Sequence, residues 1–181
     1  MTNAGRILAS LDAKLNAPVE LTLYGRAALL LGFSDPPEQY AMSRDIDAVM
    51  PLGQAEELAL ATNFWEAVEQ VNRELAEREL YISHFFEEDQ VVLTPEWRDN
   101  RVPIAGTWVR LKLFRLGDVD LFLSKLMRDD AADVADAKFI VQRAGLGKET
   151  IRRAIARARV PAIPEIEHQF RICSARFLKR G

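Results

Sequence analysis

The sequence has little cysteine and histidine: Cys173 is its single cysteine, and His84 and His168 are its only histidines. One cysteine cannot form an internal disulfide, and so small a set of Cys and His residues supplies no zinc site. We expect Cys173 to be a buried structural thiol, and each histidine to be a strand or helix residue with a local partner. A disulfide scaffold and a zinc-stabilised domain are therefore excluded.

Long apolar runs are also missing. The strongly apolar stretches, such as residues 27–31 and 48–52, are far shorter than the roughly 20 residues that span a bilayer. The start of the chain lacks the basic, apolar and small-residue segments of a secretory signal. We therefore expect a cytoplasmic protein with no membrane partner.

The net charge of −3 argues against a protein that coats nucleic acid through bulk electrostatics. Lysines and arginines do cluster after Gly147. Such a cluster fits an RNA or an acidic partner, and it equally fits the solvated face of an amphipathic helix. Charge alone leaves both interpretations open.

The chain has 181 residues, of which 49% are hydrophobic, enough for one well-filled core. Its periodicities predict an α+β fold in which residues 1–117 form a mixed β-sheet flanked by helices and residues 118–181 form a helical C-terminal region. Strands are predicted at 20–24, 45–50, 81–86, 90–93 and 108–114. A helix opened by Asp118 or Asp120 is predicted to carry Lys125 and Arg128 and to continue toward Asp133 and Asp136.

Asp45 and Asp47 are separated by one apolar residue at the start of an apolar run. Because strand side chains alternate, both carboxylates point to one face and can reach one cation. Mg²⁺ prefers oxygen ligands and is usually held by one or two carboxylates together with substrate phosphates. The triplet therefore predicts a magnesium and nucleotide site, although a strand with one wet face produces the same pattern for solubility alone.

Two further segments bear on this site. The strand at 20–24 stops at Gly25, and the helical stretch that follows has an N-terminus that can face phosphates. Lys125 lies inside an apolar run, where a charge is costly unless it has a partner. The alternative for Lys125 and its neighbours is an exposed charge ladder on a helix.

Together these segments resemble the minimal nucleotidyltransferase superfamily, which includes polymerase-beta-like enzymes and abortive-infection toxin-type nucleotidyltransferases. The family pattern is a Gly followed by Gly or Ser, a short helix, and Asp-x-Asp or Asp-x-Glu on a strand; here it is carried by Gly25, Arg26, Asp45 and Asp47. Downstream, the run from Asp120 to Lys125 and the pair Asp133 and Asp136 are similar to the toxin-like branch.

The resemblance implies a nucleotidyltransferase-like fold and Mg²⁺-dependent transfer of a nucleoside monophosphate from an NTP to an acceptor. The acceptor is left open between tRNA, protein and a small molecule, and a toxin–antitoxin partner protein fits this branch. The catalytic residues implied are Asp45, Asp47, Lys125 and Asp133, with Mg²⁺ held by Asp45 and Asp47. Nucleotide binding is assigned to Gly25, Arg26, Arg44, Lys125 and Arg128.

Two positions depart from the family pattern. Arg26 stands where the family has a small residue, so that either the nucleotide is bound in a modified way, with an arginine fork on phosphate, or the fold serves as an inactive binding or regulatory module. The strand predicted at 108–114 offers Arg110 and Lys112 in place of a third carboxylate. Asp118 or Asp120 can substitute only if the following turn returns it to the metal.

Overall fold

The computed structural model describes residues 1–179, and it has an α+β fold with a five-stranded mixed sheet. The chain forms two compact units and crosses between them after residues 87, 101 and 115. The first unit comprises Met1–Glu87 and Val102–Arg115; the second comprises Glu88–Arg101 and the chain from Leu116 onward. Our expected boundary, between residues 117 and 118, lies close to the last crossing, whereas residues 88–101 belong to the C-terminal unit. The final two positions of the region predicted at 118–181 lie outside the described residues.

The first unit contains the sheet. The elements of this unit, in chain order, are α1 (Asn3–Lys14), β1 (Val19–Tyr24), α2 (Gly25–Gly32), β2 (Asp45–Met50), α3 (Gln54–Ala61), α4 (Phe64–Leu75), β3 (Tyr81–Glu87), β4 (Val102–Pro103) and β5 (Leu111–Arg115). The strand order is β3-β2-β1-β5-β4. Strand β1 pairs antiparallel with β2 and parallel with β5, β2 pairs parallel with β3, and β4 pairs antiparallel with β5.

Alternation along β2 separates the two faces of the sheet. Ile46 and Ala48 are fully buried, whereas Asp45 and Asp47 are only half-buried on the opposite face. Phe85 pairs with Ala48, and its ring contacts the rings of two aromatic residues at the start of α4, so that α4 covers the apolar face. The acids therefore lie on the face away from α4.

The second unit is helical, and its helices are α5 (Asp118–Ser124), α6 (Ala131–Arg143), α7 (Lys148–Arg157) and α8 (Pro164–Lys179). The sequence also predicts helices at 133–143 and 148–158, and α6 and α7 confirm them. The predicted continuity from Lys125 to Asp133 is wrong, because α5 ends at Ser124 and a separate helix begins at Ala131, capped by Asp130. Cys173 on α8 is buried, as predicted.

The strand predicted at 90–93 is also wrong. This segment forms only an isolated bridge, between Leu93 and Arg159. The side chains of Val91, Val92 and Leu93 are all buried, so the segment is apolar because it is core, without the alternation or the partner strand that a sheet needs. Among the described residues, no helix has the length and apolar character needed to cross a membrane.

Asp12 on α1 holds the chain that leads into β5. Its carboxylate accepts the backbone N–H groups of Val109, Arg110 and Leu111, at 2.9, 2.7 and 2.7 Å. Partial burial raises the pKa of Asp12, but these three hydrogen bonds and the charge of Arg110 outweigh burial and bring the pKa below its ordinary value.

We predict that Asp12→Asn lowers the free energy of unfolding at pH 7 by about 1–3 kcal/mol, because backbone donors lose a charged acceptor. The lowered folded-state pKa makes this contribution present above the ordinary aspartate pKa of about 3.9 and lost as the pH falls through the folded-state pKa. Urea unfolding at pH 7 and pH 2.5 measures both effects, with the exposed Asp89→Asn as control. Equal differences at the two pH values would contradict this account.

Candidate functional site

The junction of β1 and α2 lies directly against the acidic face of β2. Tyr24, the last residue of β1, pairs with Asp47, and Gly25 then opens α2 with a left-handed φ of +69°. A Cβ atom on Gly25 would lie 3.3 Å from Asp47 Oδ2. Glycine is therefore required here both for the backbone conformation and for the close approach to the carboxylate.

Asp45 and Asp47 share the half-buried face of β2, which confirms the geometry expected from their spacing. Ser43 Oγ donates to Asp45 Oδ1 at 2.9 Å, and Ser83 Oγ donates to Asp47 Oδ1 at 2.6 Å. Within the described part of this unit, no lysine or arginine forms an ion pair with either carboxylate. The two acids therefore form a patch of negative charge whose partners are serine hydroxyls and the His84 imidazole.

A β-bulge shapes the strand beside this patch. The register of β2 and β3 shifts between Ile46 and Asp47, so that Ser83 is the extra residue and His84 pairs with Asp47. His84 Nδ1 lies 3.6 Å from Asp47 Oδ1. One carboxylate thus faces two polar side chains from the neighbouring strand, and such bulges are over-represented beside active sites.

Sequence reasoning did not identify Ser83 and His84 as site residues. The available signal was the spacing of two apolar residues on the covered face, the buried Ile82 and Phe85, which are three positions apart in a strand whose regular period is two. His84 is on a strand and His168 is on a helix, each beside a polar partner, as expected.

The electrostatics of Asp47 follow from its position. Burial raises the pKa of Asp47, the Ser83 hydrogen bond lowers it, and the charge of Asp45 raises it again, leaving the pKa above its ordinary value. Two carboxylates and a hydroxyl form an oxygen donor set that suits a hard cation such as Mg²⁺. No cluster of three or more His, Cys, Asp or Glu side chains within residues 1–179 is able to hold a metal. Any cation held here would have to take its other ligands from outside this set of side chains.

Arg26 and Arg44, two of the three arginines predicted to bind nucleotide, have neighbours in the first unit. The Arg26 guanidinium lies over the Tyr40 ring, 5.6 Å from its centroid. Arg44 forms an ion pair with Glu79. Both Arg44 and Glu79 line an open cleft of about 470 Å³, together with Asn72, Ala76, Leu80 and Tyr81.

Lys125 belongs to a buried ionic cluster of the second unit. Its Nζ donates to Asp133 Oδ1 at 2.9 Å and to Asp136 Oδ2 at 2.8 Å, and its side chain is 7% exposed. Arg128 Nε donates to the second oxygen of Asp133 at 2.8 Å, with its side chain 73% exposed. The alternative prediction, that Lys125 belongs to an exposed row of charges on a helix, is therefore wrong. Lys125 is buried, and the two aspartates are the charged partners that a buried ammonium needs.

No third carboxylate for the metal site is found on β5, and the two alternative candidates, Asp118 and Asp120, are on α5 of the second unit. Asp120 is fully buried, and its Oδ1 accepts the backbone N–H of Thr94 at 2.6 Å. Helix α5 opens at Asp118, as predicted, with Asp118 and Asp120 both in its first turn, and its N-cap residue is Gly117. Strand β5 carries no acid and ends in Arg115, which donates from Nε to the Gly32 carbonyl at 3.3 Å.

Comparisons with protein-family models, with curated proteins and with solved structures find no match to this chain.

We predict that Gly25→Ala destabilises the first unit by about 1–2 kcal/mol through left-handed backbone strain and also displaces the Asp47 carboxylate. Gly53→Ala is the matched control, because Gly53 has φ of +85° and a Cβ there would meet nothing within 4 Å. Chemical denaturation should show similar losses for both variants, while ¹H–¹⁵N NMR shifts at Asp47 and His84 should change only in Gly25→Ala. Unchanged shifts in that variant would refute the close contact.

We predict that Lys125→Met lowers the free energy of unfolding by about 3–5 kcal/mol, because two buried aspartates lose their shared cation. Lys138→Met, at an exposed position on α6, should change it by less than about 0.5 kcal/mol. Adding Asp136→Asn to Lys125→Met should recover part of the loss, since one uncompensated charge is removed. Urea unfolding measures all three, and equal effects of the two lysine variants would disprove the cluster's role.

Proposed function

We propose that this chain is a Mg²⁺-dependent nucleotidyltransferase with a nucleotidyltransferase-like fold, which moves a nucleoside monophosphate from an NTP to an acceptor hydroxyl. The observation that carries the proposal is the placement of Asp45 and Asp47 on one sheet face, against the backbone of Gly25 where α2 begins. A cytoplasmic location belongs to the same proposal.

In this proposal Asp45 and Asp47 bind the metal complex of the triphosphate, and Ser83 fixes the orientation of Asp47 through its 2.6 Å hydrogen bond. Tyr24, the N-cap residue of α2, makes no side-chain capping hydrogen bond, which is compatible with phosphate oxygens binding at the first turn. A bound Mg²⁺ would neutralise phosphate charge and polarise the α-phosphoryl group. The residues of the chain supply position and charge, which is most of what phosphoryl transfer requires.

The reaction itself is an in-line substitution at the α-phosphorus. The acceptor oxygen forms a bond to the α-phosphorus while the bond from that phosphorus to the bridging oxygen breaks. Pyrophosphate leaves with the electron pair, and the acceptor's proton passes to solvent. The acceptor is an RNA, protein or small-molecule hydroxyl, and the chemistry at phosphorus is the same for each.

The cluster around Lys125 is not needed to state this function. Roles for Lys125, Asp133 and Arg128 at the nucleotide are predictions from the family resemblance. Because the Lys125 ammonium is shared by two aspartates at 2.8–2.9 Å, a phosphate contact would require it to release one of them. Arg128 is the more accessible cation of the cluster.

A second candidate function is a catalytically inactive module of the same fold that binds a nucleotide or a regulatory partner protein. Arg26 favours this candidate, because its bulky side chain stands where the family pattern has Gly or Ser, next to the required Gly25. Nucleotide binding without transfer to any acceptor would support the inactive module over the enzyme.

We predict that titration calorimetry detects binding of at least one of ATP, GTP, CTP and UTP in the presence of Mg²⁺. The double variant Asp45→Asn with Asp47→Asn should weaken it at least tenfold, because the cation loses both carboxylates. Glu56→Gln with Glu57→Gln removes the same charge from exposed positions on α3 and should leave binding unchanged. Metal-independent binding that survives the double aspartate variant would defeat the proposed function.

A further inference from the structure

A small aromatic stack stands beside Asp47 on the same face of the sheet. The His84 and Phe86 rings are stacked, with centroids 5.2 Å apart and planes 28° apart. Tyr24 supports Phe86 from the side in an edge contact, with centroids 5.7 Å apart. The His84 side chain is nevertheless 66% exposed. One side of the imidazole therefore rests on Phe86, and much of the remaining ring surface meets solvent.

Strand pairing fixes this stack relative to the two acids. Tyr24, Asp47 and His84 are partners across β1, β2 and β3, so their side chains form one row on one face. His84 Nδ1 is 3.6 Å from Asp47 Oδ1, which restrains the ring from the edge and leaves its outer face uncovered by that contact. Because Ser83 is the extra residue of the bulge, the residue opposite Asp47 is His84 and not Ser83.

We propose that the outer face of the His84 ring is the stacking surface for the nucleobase of the bound nucleotide. This inference rests on the proposed function, because it places the phosphates of the same nucleotide at Asp45 and Asp47. A nucleobase is the fitting occupant because it is planar, apolar on its faces, and attached within a few ångströms of phosphates. Stacking on an aromatic ring is tolerant of base identity, since every base has a π face.

Two properties of the site favour a base over an apolar side chain of a partner protein. The acids next to the stack call for a ligand that carries a cation, which an Mg²⁺-bound nucleotide does and an apolar side chain does not. The stack is also supported before ligand binding, since Phe86 lies against the His84 ring and Tyr24 contacts Phe86. Such preorganisation reduces the entropy cost of ordering the ring on binding.

The test compares Mg²⁺-dependent binding of ATP, UTP and inorganic triphosphate to the full chain by calorimetry. His84→Ala should weaken ATP binding by about five- to one-hundredfold, the range expected for loss of one base–aromatic contact. The loss should be smaller for UTP, whose single ring covers less of the imidazole. Binding of inorganic triphosphate, which has no base, should not change. His84→Phe should retain ATP binding, and His168→Ala, at an exposed position on α8, should behave as the unsubstituted chain.

The outcomes separate this inference from the proposed function. Mg²⁺-dependent triphosphate binding that is lost in the double aspartate variant, together with equal ATP affinities for His84→Ala and the unsubstituted chain, would overturn the stacking role and leave the function standing. Equal losses of ATP and triphosphate binding in His84→Ala would also overturn it, because His84 would then act through Asp47 alone. Absence of any binding of ATP, UTP and triphosphate to the unsubstituted chain would overturn both.

Discussion

The antiparallel register of β1 on β2 is the constraint on which the candidate site depends. Tyr24 pairs with Asp47, and the chain then leaves the sheet at Gly25, whose left-handed backbone lies against the Asp47 carboxylate. A slip of one residue would turn both acids into the core and expose Ile46, which is fully buried. Burying one such aliphatic side chain stabilises the fold by about 1.5–3 kcal/mol, so the apolar residues of β2 enforce the register. The geometry of the acids is thus a consequence of hydrophobic burial on the opposite face.

The second unit manages charge in a different way. Lys125, Asp133 and Asp136 are all buried, and removing ions from water costs several kcal/mol each unless their partners are well placed. Hydrogen bonds of 2.8–2.9 Å from one ammonium to two carboxylates meet that condition only when α5 and α6 adopt one arrangement. The cluster therefore favours one arrangement of α5 against α6. Apolar residues in its place could stabilise the fold as much, but they would not select that one arrangement. Its structural role is sufficient to explain a lysine in an apolar run, and a functional role requires a separate observation.

Local pattern was enough to predict some features, and the remainder depend on contacts between distant parts of the chain. Alternation predicted the shared face of Asp45 and Asp47, and the glycines at 145 and 147 predicted the break between α6 and α7. The bulge at Ser83 was not predicted, because its position depends on which residues of β3 reach the core. The hydrogen bond from the Thr94 N–H to Asp120 was not predicted either, because the two residues are 26 positions apart in the sequence. The two partners of Lys125 lie 8 and 11 positions away, beyond a helix break, so helix spacing did not pair them. Neither the spacing of charges nor propensity contains this information.

The residues around Asp47 differ from those expected on a polar sheet face whose only role is solubility. On the same face Glu20 lies opposite Lys112, and Lys112 Nζ is 3.1 Å from Glu20 Oε2. An acid with no proposed function on this face is therefore neutralised by a lysine on the neighbouring strand. Beside Asp47 the chain instead has a glycine in the left-handed region, an extra residue in β3, an aromatic stack, and a second acid that raises the pKa of the first. The left-handed glycine, the extra residue and the adjacent like charges depart from what local stability favours, and departures of this kind concentrate at functional sites. Because these features surround one carboxylate, they support the proposed cation-dependent site.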